Sequence, residues 1–204
     1  AQDKVNAQLD SLNLVALYTC PWPGQGFYFN KAVTSSADTK GVKFRSYNAA
    51  TATFAKELGM TPVQIEAAEL SQALATGVAE SFISSGSTGY DRKVWEHLSH
   101  YYKVNAWLPR NYVIVNKGVW NNLDDGTRSA VQKAADETGA ACAAKSAQLA
   151  NWYFEQLESN GMKVEDASPA FLKELQAIGA KMQSDWLAAV GSDGQAIIDA
   201  YKAM

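Results

Sequence analysis

The feature that most constrains this chain is one continuous helical pattern from Asp125 to about Asn160. Its partly apolar stripe advances by three and four residues, as one face of a helix does. The stripe consists of Val131, Ala134, Thr138, Ala141, Lys145, Leu149, Trp152 and Gln156. At about 1.5 Å of rise per residue, such a helix exceeds about 45 Å, which is longer than a small domain is wide. We therefore expect a helix that braces two lobes at once.

Short strands and short helices alternate upstream of this helix. Strands are predicted at residues 14–19, 27–30, 42–46, 62–65, 78–83, 101–106 and 112–116. Helices are predicted at residues 1–12, 51–58, 69–76 and 92–98, whereas residues 20–26 and 84–89 have the composition of loops. Glycines close two of these helices, at Gly59 and Gly77. The alternation indicates a mixed α/β fold.

Composition excludes several classes of protein. Hydrophobic residues make up 47% of the chain and charged residues 19%, so it can bury a core. The net charge of -3 provides no basic field for nucleic acid. No apolar run approaches the roughly 20 residues of a membrane span, so direct membrane insertion is not expected. Cys20 and Cys142 can form one disulfide or remain two free thiols, and the sequence leaves both open.

Motifs for catalysis are absent from the sequence. His97 and His100 could share a metal on one helix face, but only Glu96 stands near them at ligand spacing. There is no Gly-x-Ser-x-Gly nucleophile elbow. The segment Gly24-Gln25-Gly26 lacks the third glycine of a dinucleotide fingerprint. We therefore expect a protein that is not an enzyme and that needs no metal or cofactor.

The remaining signal is one of ligand binding. Arg45 lies at the end of a predicted strand, and open α/β sheets bind ligands at the carboxyl ends of their strands. A guanidinium there can hold a carboxylate through two parallel hydrogen bonds. A surface arginine or an internal salt bridge is the alternative. Trp22, Tyr28 and Trp107 fall in predicted loops or at strand ends, where they either line a cleft or pack a core.

Several separated motifs resemble the solute-binding proteins of TRAP (tripartite ATP-independent periplasmic) transporters. They are residues 41–45 (GVKFR), 58–62 (LGMTP), 69–77 (ELSQALATG) and 112–117 (YVIVNK), followed by Trp120, Leu123 and the long helix. These motifs occur in the family's order and span nearly the whole chain. The segment 106–109 (AWLP) looks most like the branch of the family that binds 2-oxoacids.

The resemblance implies an α/β fold of the periplasmic binding protein type, class II, with two lobes joined by hinge strands and a long bracing helix. Family members are longer than this chain, which starts within a predicted helix and without Met, so we expect the first lobe to be largely missing. A processed N-terminus is the alternative. The expected parts are 1–30 (remnant of the first lobe and a hinge strand), 31–123 (second lobe), 124–160 (bracing helix) and 161–204 (C-terminal helices packing across the lobes).

The resemblance also implies a binding site. Arg45 matches the family's carboxylate-binding arginine, and Gln25 falls where many members carry a second arginine. Leu108 stands where the 2-oxoacid branch can carry a metal-binding Glu, which weakens the case for a metal. The expected ligand contacts are Arg45, Gln25, Trp22, Tyr28, Asn48, Ser84, Ser85 and Trp107.

The expected function is that of a periplasmic solute-binding protein that delivers its ligand to TRAP membrane permease subunits. A single arginine favours a small organic monocarboxylate, expected to be an aromatic, 2-oxo or 2-hydroxy acid. A C4-dicarboxylate ligand, a sensor input module of the same fold and an enzyme on this scaffold are the alternatives.

Overall fold

The computed structural model describes residues 2–203, which contain eight strands and eight helices. The strands are Leu14–Pro21 (β1), Gln25–Phe29 (β2), Lys43–Ser46 (β3), Thr61–Gln64 (β4), Ser81–Ser84 (β5), His100–Trp107 (β6), Arg110–Asn116 (β7) and Lys163–Asp166 (β8). The helices are Gln2–Ser11 (α1), Ala49–Glu57 (α2), Leu70–Ala75 (α3), Gly86–Asp91 (α4), Lys117–Asn121 (α5), Asp125–Ser159 (α6), Pro169–Val190 (α7) and Ser192–Lys202 (α8). Residues 1 and 204, at the ends of the first and last predicted parts, lie outside the described chain.

The chain divides into two compact units. The first unit comprises Ala1–Trp22, Pro109–Ala147 and Gln183–Met204, and the sheet unit comprises Pro23–Leu108 and Gln148–Met182. The long helix is confirmed as the 35-residue α6, and the chain leaves it through Gly161 at a φ of 91°. Among the described residues, no helix combines the length and the apolar character that a membrane span needs.

The sheet unit is built on six strands in the order β4-β3-β5-β2-β6-β8. Strands β3, β4 and β5 run parallel to one another, and so do β6 and β8. Strand β2 is antiparallel to both of its neighbours, β5 and β6. The sheet is therefore mixed, and β2, near its centre, is the strand with an antiparallel neighbour on each side.

Both faces of this sheet are covered. Successive side chains of a strand point to opposite faces, so each central strand contributes residues to both buried clusters. One face, the α2 face, packs strand aromatics against α2 and α7; its buried residues include Phe27, Phe29, Phe44, Ile83, Tyr102, Phe54 and Phe171. The opposite face, the α3 face, packs against α3 and the end of α6; its buried residues include Tyr28, Phe82, Tyr101, Leu70, Leu74 and Leu157. Burial of each large side chain stabilises the fold by about 1.5–3 kcal/mol.

The first unit contains a two-stranded antiparallel sheet of β1 and β7. Its register runs from Leu14 opposite Asn116 to Pro21 opposite Arg110, with an irregularity between Ala16 and Tyr18. Helix α6 packs closely on β1 at Gly139. A Cβ added there would lie only 3.0 Å from Cβ of Tyr18. One turn further along the helix, Cys142 forms a disulfide with Cys20, and their Cα atoms are 5.6 Å apart. The two cysteines are therefore paired.

Some predicted elements are wrong in detail. Residues 84–89 were expected to form a loop, yet Gly86–Asp91 is helical. Its close packing on α6 requires a glycine, since a Cβ added at Gly86 would lie 2.9 Å from Cβ of Tyr153. Residues 92–98 were expected to form a helix, but only a short 3-10 turn forms there, after Lys93 adopts a φ of 49°.

The disulfide leads to a prediction about stability. It closes a loop between residues 122 positions apart, so its removal restores much conformational freedom to the unfolded chain. We expect Cys20→Ser combined with Cys142→Ser to lower the free energy of unfolding by about 2–5 kcal/mol. Urea denaturation monitored by circular dichroism measures this change. Treatment of the unmodified protein with a reductant should reproduce it, and equal stability with and without the reductant would contradict the pairing.

A second prediction concerns the close approach of the central strands. An added Cβ at Gly26 would lie 2.7 Å from the ring end of Tyr101 and would also meet the backbone of Tyr102. We expect Gly26→Ala to destabilise the protein by about 1–3 kcal/mol because the strand must shift. Gly179 is the matched control, since a Cβ added there would meet nothing within 4 Å. Gly179→Ala, within helix α7, should raise stability by about 0.5–1 kcal/mol in the same denaturation assay.

Candidate ligand-binding site

Strand register brings four of the expected ligand contacts to one edge of the six-stranded sheet. Arg45 lies opposite Phe82 on β5, two residues before the end of that strand at Ser84. Ser84 is paired with Gly26 near the start of β2. Gln25, the first residue of β2, is in turn paired with Trp107 at the end of β6. The edge formed by Arg45, Ser84, Gln25 and Trp107 is called the binding edge below.

Arg45 is an enclosed cation with unused hydrogen-bond donors. The residue is only 4% exposed, and its Nε donates to the carbonyl oxygen of Ile65 at 2.8 Å. No carboxylate of residues 2–203 lies within ion-pair distance of it. The only fully enclosed side-chain polar atom without a partner in the described chain is Ser81 Oγ. The two terminal nitrogens of Arg45 therefore reach the surface of the sheet unit and remain free to donate.

The electrostatic state of Arg45 follows from this environment. Burial lowers the pKa of its guanidinium, whereas Tyr47 and Glu66 act in the opposite direction. A guanidinium nevertheless remains protonated at any physiological pH. The sheet unit thus holds a desolvated positive charge that no ion pair neutralises, and an anion with two oxygens fits its free donors.

Tyr47 connects Arg45 with Gln25 and was missed as a site residue. The centre of its ring lies 5.3 Å from Cζ of Arg45, which is within cation-π distance. Its hydroxyl donates to Oε1 of Gln25 at 2.8 Å. Burial raises the pKa of Tyr47, so the phenol stays protonated and remains a donor. Its position two residues after Arg45, just beyond β3, was the signal available in the sequence.

The polar groups of Gln25 and Ser84 have defined partners at the binding edge. Gln25 is 6% exposed, and its Oε1 is occupied by the hydroxyl of Tyr47. Ser84 is also 6% exposed, and its Oγ donates to Oγ1 of Thr88 at 2.8 Å. Both side chains are thereby held in fixed orientations.

Trp107 reaches the binding edge through an irregular stretch of β6. The pairing of β2 with β6 shifts register between Gln25 and Phe27. In this stretch of β6, Asn105 adopts a φ of 48°. The Trp107 ring packs edge-on against Phe54, with their centres 5.3 Å apart. Its indole is half-buried, so it can present apolar surface beside Gln25. The next residue, Leu108, is 69% exposed.

Tyr28 is not an open ligand wall, contrary to expectation. It lies within β2's buried run, stacks on Phe82 with ring centres 4.3 Å apart, and is fully buried. Its hydroxyl donates to the carbonyl oxygen of Ser85 at 2.8 Å. Ser85 is fully buried too, and its Oγ is paired with Ser87 Oγ at 2.7 Å. Tyr28 and Ser85 therefore belong to the core of the sheet unit.

Two other expected contacts are placed differently. Trp22 belongs to the first unit, where it is 40% exposed and its Nε1 donates to Oδ1 of Asn111 at 3.1 Å. Asn48 is exposed and caps helix α2, since its Oδ1 accepts a hydrogen bond from the backbone N–H of Thr51 at 2.8 Å.

The two histidines do not share a helix face. His97 follows a 3-10 turn, whereas His100 begins β6, where its Nδ1 lies 2.8 Å from Ser99 Oγ. Within the described chain, no group of three His, Cys, Asp or Glu side chains could hold a metal ion.

The environment of Arg45 generates a stability prediction. Replacement of an arginine that has a buried ion pair typically costs about 3–5 kcal/mol, whereas replacement of a buried charge by an apolar residue of similar size is often neutral or stabilising. We expect Arg45→Met to change the free energy of unfolding of the ligand-free protein by no more than about 1 kcal/mol. Chemical denaturation provides the measurement, with Arg92→Met at an exposed position as the control. A loss of several kcal/mol would indicate that Arg45 stabilises the fold by more than its hydrogen bond to Ile65 and its contact with Tyr47.

Comparison with known proteins gives a consistent family. Residues 2–189 match the family described as bacterial extracellular solute-binding protein, family 7 (DctP). No curated protein sequence matches the chain significantly.

Three of the solved structures that are similar to this chain cover at least 98% of it. A TRAP solute-binding protein from a marine metagenome (an unidentified microbe of the Sorcerer II Global Ocean Sampling Expedition) is 85% identical, with a TM-score of 0.97 over 100% of this chain and 67% of that one. It is described as specific for pyroglutamate and contains co-purified pyroglutamate. DctP6 of Bordetella pertussis is 39% identical (TM-score 0.97, 100% of this chain, 67% of that one). DctP7 of the same organism is 37% identical (TM-score 0.96, 98% of this chain, 67% of that one), and both are described as binding pyroglutamic acid.

Proposed function

We propose that this chain, which belongs to the bacterial extracellular solute-binding proteins of family 7, captures pyroglutamate for a TRAP transporter. Family membership confirms the TRAP resemblance, the periplasmic location and a role in binding small organic acids rather than in catalysis. The α/β fold expected for such a protein is confirmed as well. The identity of the ligand and the residues that bind it are the proposal.

The observation that carries the proposal is the state of Arg45. The residue is 4% exposed, and its guanidinium forms one hydrogen bond to a backbone carbonyl and has no acidic partner in the described chain. A protein gains nothing in stability from a buried charge left in this way. A bound carboxylate would supply the missing negative charge and accept two parallel hydrogen bonds. We infer that this arrangement is maintained for ligand binding.

A single carboxylate suits the binding edge better than two. Beside Arg45, the edge contains the neutral groups of Gln25, Ser84, Tyr47 and Trp107, which offer hydrogen bonds and apolar surface but no second cation. A second carboxylate there would be desolvated without a charged partner. Pyroglutamate, the ligand of the relative that is 85% identical, has one carboxylate and an uncharged lactam ring. We propose it in place of the aromatic, 2-oxo or 2-hydroxy acids predicted from the sequence, and a C4-dicarboxylate is disfavoured.

The TRAP membrane permease subunits are the proposed partners. The alternative is a sensor input module of the same fold, which would present its ligand to a signalling protein. Uptake of labelled pyroglutamate by vesicles that contain the permease, dependent on added binding protein, would support transport. Ligand binding without any stimulation of uptake would favour the sensor.

Ligand identity can be tested by thermal stabilisation of the full chain. A ligand that binds only the folded state, present at about 100 times its Kd, stabilises that state by about 2.7 kcal/mol. We expect a clear rise of Tm with pyroglutamate, a small rise with succinate and none with 2-pyrrolidone, which has the lactam ring but no carboxylate. An equal shift with 2-pyrrolidone and pyroglutamate would exclude carboxylate recognition.

The role of Arg45 can be tested by calorimetry. We expect Arg45→Met to weaken pyroglutamate binding at least tenfold, or by about 1.4 kcal/mol or more. Arg45→Lys should also bind more weakly than the unmodified protein, because an ammonium group cannot form the two parallel hydrogen bonds. Arg92→Met, which changes an exposed arginine of the same unit, is the control and should leave the affinity unchanged. Unchanged affinity in Arg45→Met would contradict the assignment.

A further inference from the structure

We propose that the disulfide between Cys20 and Cys142 makes the order of the first unit depend on oxidation, whereas the sheet unit folds without it. In the reduced chain the sheet unit would be ordered, and the first unit would be loosely held until the two thiols are joined. This inference goes beyond the proposed function, and it does not depend on which ligand the protein binds.

The first observation is the distribution of the apolar core. Both clusters of buried residues, on the α2 face and on the α3 face, consist of residues that belong to the sheet unit. Among residues 2–203, Ala135 is the one buried hydrophobic residue that belongs to the first unit. An alanine removes little apolar surface from water when it is buried. The first unit therefore lacks the kind of core that stabilises the sheet unit.

The strands and short helices of the first unit show the same lack of burial. Each residue of β1 is only partly buried, and β7 is exposed or partly buried throughout. Helices α1 and α5 contain no buried residue. A two-stranded antiparallel sheet is marginally stable by itself. The pair of β1 and β7 therefore needs support from elsewhere in its unit.

Helix α6 supplies this support through a face of mostly small residues. Between residues 125 and 147, positions that are partly or fully buried recur every three or four residues, as one helix face does. They include Val131, Ala135, Gly139, Cys142 and Ser146. Small side chains allow close approach to β1 but bury little apolar area, so the helix is weakly held by packing alone. The disulfide at Cys142 then provides the main attachment of this face to β1, as disulfides do in units with a small core.

The disulfide is open to thiol reagents, because Cys20 and Cys142 are both only partly buried. Its formation from the two thiols requires an oxidant, which we take to be another disulfide. One thiolate attacks that disulfide and releases a thiol, and the second thiolate then displaces the other half from the mixed disulfide. The two cysteines lose two electrons and two protons in total, and the oxidant leaves as two thiols. A dithiol reductant reverses the same steps.

The consequence is a fold that is completed in one compartment only. Thiols are kept reduced in the cytosol, whereas disulfides form and persist in the periplasm. The chain belongs to a family of extracellular solute-binding proteins, so it is made in the first environment and works in the second. In the cytosol the first unit would stay loosely held, and oxidation outside it would fix α6 to β1.

Hydrogen exchange measured by mass spectrometry on the full chain tests this inference. Amides of low local stability exchange fastest, so the method reports order element by element. On reduction with a phosphine, we expect exchange in β1, β7 and residues 125–147 of α6 to accelerate at least about tenfold, while that in β2, β3 and β5 changes by less than about twofold. Oxidised glutathione should restore the original rates. Cys20→Ser combined with Cys142→Ser should resemble the reduced protein and should not respond to the phosphine. Ala141→Ser, at an exposed position of α6, is the control and should resemble the oxidised protein.

Two results would overturn the proposal. Equal acceleration in both units on reduction would show that the disulfide stabilises one cooperative structure rather than the first unit. Unchanged exchange in β1, β7 and residues 125–147 would show that packing holds the first unit without the disulfide. Reduction of the unmodified chain gives the decision even if the double serine variant does not fold. Neither result bears on pyroglutamate binding, so the proposed function is tested separately.

Discussion

The arrangement of the sheet unit depends on the register of β2, its central strand. This strand is antiparallel to both β5 and β6, whereas β5 is parallel to β3. Its first residue therefore lies at the same edge as the last residues of the strands around it. A shift of β2 by one residue would turn Phe27 and Phe29 to the opposite face and would move Gln25 away from Tyr47. The core and the binding edge are thus determined by the same backbone pairing.

The same edge combines a large apolar core with the positive charge of Arg45, which has no ion pair in the described chain. Phe27, Phe44 and Phe54 stabilise the α2 face, whereas the neighbouring Arg45 is desolvated without an ionic partner in the described chain. Stability and ligand recognition are in conflict at such a position, and folded proteins tolerate the conflict at functional sites. The hydroxyl of Tyr47 and the carbonyl of Ile65 hold the polar groups in place, so the proposed site is organised in the ligand-free protein. Preorganisation of this kind lowers the entropic cost of binding.

Much of the fold could be predicted from the sequence, because its signals are local. The period of α6, the glycines after α2 and α3 and the alternating strands all depend on neighbours within a few residues. Arg45 was singled out for the same reason, since a strand end is a local feature. Tyr28 was misplaced because its burial depends on the partners of β2 on both sides, which lie far away in sequence. Tyr47 was missed because its role consists of one hydrogen bond to a residue 22 positions earlier in the chain.

The pairing of Cys20 with Cys142 also affects how the chain is connected. Residues 23–108 of the sheet unit are an insertion into the first unit, and the backbone N–H of Trp22 donates to the carbonyl of Pro109 at 2.9 Å where the insertion starts and ends. The disulfide therefore encloses this insertion in a covalent ring. Once the disulfide has formed, the covalent path from β1 to β7 through Cys142 is shorter than the path along the backbone through the insertion. Their pairing then requires closure of a shorter loop, so it costs less conformational entropy than it would in a chain without the disulfide.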